Sequence, residues 1–409
     1  MKQSKKTPIA LTLLTFLAIL IVPAVSDDDI EIQIATRTDL FPIPNLIFPA
    51  QGFVLFLAIL ALAVTAWSFY LTVSKNKKTP LALVMVFGVS FVMSVLVWLF
   101  AGATMTITTL LAGSLALAVP LIFGSLSGAL SERVGIINIA IEGQLLAGAF
   151  TSAVIASITD SVILGIISAM IAGSLVASIL AVFSIKYLVD QIITGVVVNV
   201  LIIGLTSFLF STVLADNITT LNQPPRFDKL SIPVLGQIPI IGPVLFNQTL
   251  IVYLMYAAVI GVFLALFKTK WGLRVRSVGE YPKASDTVGI KVFRTRYISV
   301  LIGGALAGLG GSFFTLGQVG AFGKEMTNGA GYIALAALIF GRWNPLYAAM
   351  AALLFGFALN LQYAVQIVGS PLPSEFLLML PYILTVIAVA GLVGKVKGPA
   401  AAGKPYIKS

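Results

Sequence analysis

Apolar runs of 17 or more residues recur along most of this 409-residue chain, and that recurrence constrains every other reading. Each run can cross a hydrocarbon core of about 30 Å as a helix. Packing them all against one another in water fails on area. Hydrophobic residues make up 59% of the chain and charged residues 10%, the mean hydropathy is +1.05, and so little polar surface cannot cover so much apolar surface. Backbone polar groups in lipid must be satisfied within their own segment, which makes helices the natural element. The fold class is therefore an all-α polytopic membrane protein of about ten to twelve transmembrane helices.

The predicted spans lie near 8–25, 51–74, 80–101, 108–131, 135–158, 161–185, 190–213, 248–267, 297–320, 327–344, 346–368 and 376–394. The stretches 135–158 and 327–344 are rich in Gly and polar residues, and read either as spans or as broken or re-entrant helices. The first segment reads either as a span or as a signal peptide, its apolar run being longer than most signal cores. With the amino terminus inside, 21 of the 25 basic residues fall on one side, including Lys2, Lys5 and Lys6, the Lys75, Lys77, Lys78 cluster, Arg133, Lys186, Arg342 and the tail lysines. The other side receives ten of the fifteen acids, among them Asp27, Asp28, Asp29 and Glu31. The net charge of +10 thus marks a cytoplasmic face and not a nucleic-acid surface.

Cysteine and histidine are both absent, which removes disulfides, thiolate metal sites and the commonest general base. No G-x-x-x-x-G-K followed by Ser or Thr occurs, so the chain cannot be its own ATPase; no cofactor is expected on it. Two loops are long enough to carry structure: 214–247, proline-rich and predicted outside, and 268–296, the only long inner loop, with eight cations. Within the latter, Pro282 suits a helix first turn and Gly289 a left-handed stop, which predicts a short helix of about two turns at the membrane surface. On spacing alone, a basic loop that sets topology and touches anionic headgroups explains it equally well.

The run Leu273-Arg274-Val275-Arg276-Ser277-Val278-Gly279-Glu280-Tyr281-Pro282-Lys283-Ala284, closing with Gly289-Ile290, resembles the cytoplasmic coupling segment of bacterial ABC importer permeases of the branched-chain amino acid, ribose and nucleoside class. Ser131-Glu132-Arg133-Val134-Gly135-Ile136-Ile137-Asn138-Ile139-Ala140-Ile141-Glu142-Gly143-Gln144 supports the resemblance, as does Met326-Thr327-Asn328-Gly329 with Ile339-Phe340-Gly341-Arg342-Trp343-Asn344-Pro345. The last of these is similar to the nucleoside, simple-sugar-annotated branch. The resemblance runs from about residue 105 to the end and fits residues 1–78 poorly. Tyr281 stands where Asn is usual, and Ser285-Asp286 where small residues are common.

The resemblance implies a type II-like importer permease bundle in a bacterial cell membrane, with both termini cytoplasmic. Its parts are a two-helix extension over 1–78, a permease core over 79–395 and a tail over 396–409. The implied partners are an ABC ATPase subunit, a second related permease, an extracellular substrate-binding lipoprotein and a small-molecule solute, with nucleosides ahead of simple sugars. The implied ATPase contact is Ser277, Gly279, Glu280, Pro282, Ala284, Gly289 and Ile290.

Polar residues inside spans mark candidates for the translocation pathway: Asn138 and Glu142 four apart on one helix face, with Gln144, Asn199 and Trp343. Each has a structural alternative. Glu142 could pair with a cation such as Arg133, and the Gln191, Gly195, Asn199 stripe could hydrogen-bond between helices. The series Gly303, Gly304, Gly308, Gly310 and Gly311 reads as close helix packing. Another class of function, a proton-coupled secondary transporter, would use Glu142 or Asp190. A membrane enzyme is disfavoured, because His and Cys are missing.

Overall fold

The computed structural model describes residues 6–35, 39–41, 43–368, 376, 379 and 398–408. The helices are α1 (Lys6–Ile21), α2 (Ala50–Phe69), α3 (Leu81–Leu99), α4 (Ile107–Glu132), α5 (Ile141–Thr159), α6 (Val162–Ala181), α7 (Gln191–Leu209), one-turn α8 (Ile218–Leu221), α9 (Leu250–Lys268), α10 (Lys270–Glu280), α11 (Pro282–Thr287), α12 (Val292–Ser312), α13 (Ala330–Phe340) and α14 (Pro345–Val368). Among the described residues ten helical segments are long and apolar enough to span a membrane, and they fall on ten of the predicted spans. The eleventh, near 327–344, is the 11-residue α13, only about 17 Å long at 1.5 Å per residue. The twelfth, 376–394, lies outside the described residues. The chain is an all-α, multi-pass membrane protein.

The described residues form two compact units. The first draws on Met1–Leu111, Pro233–Val244 and Leu361–Leu377, the second on Ala112–Ile232, Leu245–Asn360 and Leu378–Ser409. In the first, α1, α2 and α3 pack side chain to side chain around Leu11, Ala61, Val64 and Phe87, with one buried hydroxyl pair, Thr15 to Thr65 at 2.8 Å. Strand β1 (Asp29–Gln33) pairs antiparallel with β2 (Leu46–Pro49) and parallel with β3 (Thr104–Thr106). Glu31 ties the sheet together by accepting from Asn45 and Thr104, each at 2.7 Å, and these bonds hold its carboxyl below the usual carboxylate range.

In the second unit α12 is packed against both α5 and α6, and its glycines explain why. A Cβ on Gly308 would collide with the Ala169 carbonyl of α6, and Gly308 itself fills the space beside Gly148 of α5. Backbone meets backbone here, the arrangement small residues permit in membranes. Strands β4 (Lys229–Ser231) and β5 (Asn247–Thr249) pair antiparallel, joining two stretches within the loop predicted over 214–247 and the residues just after it.

Candidate functional site: a coupling elbow and the helix breaks behind it

The basic inner loop is two helices. Thr269 caps α10, its hydroxyl accepting from the Gly272 amide at 3.1 Å, and α10 buries Gly272, Val275, Val278 and Gly279 on one side. The chain then bends at Tyr281, which is extended (φ −147°, ψ 86°), as a residue before proline must be. Pro282 opens α11. The predicted stop at Gly289 is present, at φ +85°. The Gly289 amide donates to the Asp286 carbonyl at 2.9 Å and the Ile290 amide to that of Ser285 at 3.0 Å, a Schellman ending. Ser277 and Ser285 join the two helices hydroxyl to hydroxyl at 3.0 Å. Of the seven coupling candidates, Glu280, Ala284 and Gly289 are exposed, Ser277, Pro282 and Ile290 half-buried and Gly279 buried.

Gly279 is buried because its backbone lies on the Arg133 carbonyl. Arg133 follows α4 and reaches across to the Trp343 carbonyl through Nε at 3.1 Å and Nη2 at 3.0 Å. Burial lowers its guanidinium pKa, neighbouring Glu280 raises it in part, and Arg276 lowers it further. The described tail closes the cluster. The Ala401 amide donates to the Gly279 carbonyl at 2.9 Å and the Ala400 amide to Glu280 Oε2 at 3.3 Å. Tyr406, buried at 4% exposure, packs its ring against Phe293 with the centroids 5.4 Å apart and the planes tilted by 54°, and lies beside Asp286. One end of the unit thus gathers the elbow, Arg133, Arg342 and the tail, all groups the charge pattern assigned to one side.

Behind the elbow α4 stops at a second Schellman ending, the Gly135 amide on the Glu132 carbonyl at 2.9 Å and that of Ile136 on Ser131 at 3.0 Å. The chain is not helical again until α5. Such a break between two spans, where the chain is buried, is stable only if other groups satisfy its backbone. The stripe on α7 does so. Gln191 Oε1 accepts from the Ile137 amide at 2.7 Å. Asn199 donates to the Ile139 carbonyl at 2.9 Å and accepts from the Gly143 amide at 2.8 Å, capping α5 from another helix. Asn138 and Gln144, both fully buried, exchange amide bonds at 3.2 and 3.1 Å, while Ser127 donates to Gln144 at 3.1 Å.

Glu142 does not meet Arg133. Its Oε1 accepts from the Thr327 hydroxyl at 2.6 Å and the Gly329 amide at 2.9 Å, and its Oε2 from the Gly331 amide at 2.6 Å. The carboxylate therefore lies in the first turn of α5 and at the start of α13, where two helix dipoles favour negative charge. Asp190 caps α7 through the Ile192 and Ile193 amides. Asn138, Glu142, Gln144 and Asn199 are all buried, but their bonds form separate groups: Asn138 with Gln144, Asn199 with the backbone of Ile139 and Gly143, and Glu142 with the start of α13. Trp343 sits apart, in the turn after α13, where its indole donates to Glu132. Sequence reasoning held Thr327 in a motif of the resemblance without a role and missed Tyr406, since an isolated Tyr carries no spacing signal.

Comparison with known proteins adds identity to this geometry. The model for the permease component of branched-chain amino acid transport systems matches residues 110–389. The guanosine ABC transporter permease protein NupQ of Bacillus subtilis is 40% identical over 313 residues, 72% of this chain and 95% of that protein. The nucleoside ABC transporter permease protein NupC of Lactococcus lactis is 38% identical over 74% of this chain and 98% of its own. The putative glucose ABC transporter permease protein TsgC13 of Haloferax volcanii is 33% identical over 61% and 75% respectively. Bacillus subtilis and Lactococcus lactis each contribute a second, more distant match. No solved structure matches. The chain belongs to the branched-chain amino acid transport system permease family.

Proposed function

We propose that the chain is the permease subunit of an ATP-driven importer of nucleosides, working by alternating access. The observation that carries this reading is similarity to guanosine and nucleoside permeases across 95% and 98% of their lengths. A separate ATPase subunit supplies the energy, so the chain itself is not an enzyme and needs no cofactor. A second, related permease completes the pathway, in keeping with the paired permeases of the two organisms above, and an extracellular binding lipoprotein delivers the solute. The elbow and both termini face the cytoplasm.

Ser277, Gly279, Glu280, Pro282, Ala284, Gly289 and Ile290 form the ATPase contact. Movement of the elbow passes through Gly279 and Arg133 to the break after α4 and to the turn after α13. Asn138, Glu142, Gln144 and Asn199 hold the broken backbone in the arrangement that alternates, and the exposed ring of Tyr332, whose hydroxyl accepts from Asn199 at 3.1 Å, presents an aromatic face to the solute. Trp343 couples the two ends of this path. Proton coupling is disfavoured, because Glu142 and Asp190 are both engaged as helix anchors. A sugar substrate is the second reading, favoured by the glucose permease relative.

The coupling assignment is tested with Ala284→Arg, at an exposed position, and Glu280→Arg. Both are expected to abolish ATP-dependent uptake and weaken ATPase co-purification. Normal uptake and association in both would remove the assignment.

A further inference from the structure

Between α10 and the start of α12 lies a cavity of about 980 Å³ whose lining holds Lys270, Arg274, Lys291 and Arg294 and no carboxylate. The four cations are exposed. Lys270, Arg274 and Ser277 line the cavity at helical spacing from α10, and Lys291, just before α12, with Arg294, Thr295 and Ile298 on α12, line it from the other side. The groove opens where two membrane spans end, beside Lys268 of α9 and Val292 of α12. Its walls change character along α12. The cations come first, and Ile298 lies six residues into α12, about 9 Å deeper along the axis, at the start of the span predicted over 297–320. Half-buried Trp271 and exposed Leu273 complete the apolar wall.

We propose that this groove binds an anionic phospholipid of the inner leaflet, its phosphate among the four cations and its upper acyl chains against Trp271 and Ile298. The order of polarity matches that of a phospholipid, and cations grouped at a membrane surface attract anionic lipid. Ser277, Gly289 and Ile290 of the ATPase contact also line the groove, but a soluble ATPase cannot follow it into the membrane as far as Ile298. The site does not depend on the ATPase assignment.

The test reconstitutes the full chain with its partner subunits in nanodiscs of equal phosphatidylcholine and phosphatidylglycerol, then counts co-isolated lipid by native mass spectrometry. Phosphatidylglycerol is expected above the bulk ratio, with a drop of up to about fivefold for each cation neutralised. The variant K270Q/R274Q/K291Q/R294Q should lose the excess with the ATPase still bound, and R274K/R294K should keep it. If the quadruple variant does not fold, the pairs K270Q/R274Q and K291Q/R294Q carry the same reading. An unchanged excess in the neutralised variants, displacement by inorganic phosphate, or release of the ATPase with lipid retained would overturn the proposal.

Discussion

The two units of this chain solve the same problem, helices in an apolar solvent, by different means. The first packs α1, α2 and α3 side chain to side chain around Leu11, Ala61, Val64 and Phe87, and among its described residues one buried hydroxyl pair joins two of these helices. The second brings backbones together along α5, α6 and α12 and interrupts its helices, satisfying each interruption with side chains from elsewhere. The family match begins at residue 110, two residues before the second unit begins at Ala112. Closely packed, broken and polar-braced helices can hold two discrete arrangements, since such packings switch rather than deform. Side-chain packing alone makes a bundle and asks for no second state.

The sharpest way to break that contrast is to add side chains to the two kinds of glycine. Gly308→Leu forces atoms into the Ala169 backbone, which has nowhere to move, and is expected to cost about 3 kcal/mol, seen as loss of the monodisperse chain in detergent. Gly88→Leu in α3 meets nothing within 4 Å and is expected to leave melting within about 0.5 kcal/mol of the parent. Equal damage from both would erase the distinction.

Next comes Glu142→Gln. The new amide sets a donor against the Gly331 or Gly329 amide, so a charge-assisted bond becomes a clash, costing about 2 kcal/mol. Uptake should fall while the ATPase stays bound, a result read by transport and co-purification on one preparation. Asn199→Ala leaves the Gly143 amide and the Ile139 carbonyl unpaired, for about 1–2 kcal/mol of melting stability. Smallest is Thr15→Val in the first unit. It removes the hydroxyl pair for about 0.6 kcal/mol, with uptake unchanged.

Sequence alone made the spans legible because lipid imposes a length and a composition that leave few alternatives. It also placed α11, because Pro282 and Gly289 are local signals with local causes. The α10 helix escaped notice for the opposite reason. Its cations dominate the composition, while its buried side is mostly two valines and two glycines. The break after α4 showed in the Gly and polar content of 135–158, but Glu142's partners did not. They are mainly backbone amides 187 and 189 residues away, and a backbone amide has no sequence signature; Arg133, nearby and cationic, was the wrong candidate. The tail's grip on the elbow is hidden similarly, since Ala400 and Ala401 act through their amides.

The central claim is that this chain moves nucleosides with energy from a partner ATPase. The most direct measurement is uptake of radiolabelled guanosine into proteoliposomes holding the chain, its second permease, the ATPase and the binding lipoprotein. ATP-dependent accumulation, insensitive to collapse of the proton gradient and lost in Ala284→Arg, is predicted. Accumulation driven by a proton gradient without ATP, or ATP-dependent uptake of glucose with none of guanosine, would contradict the claim.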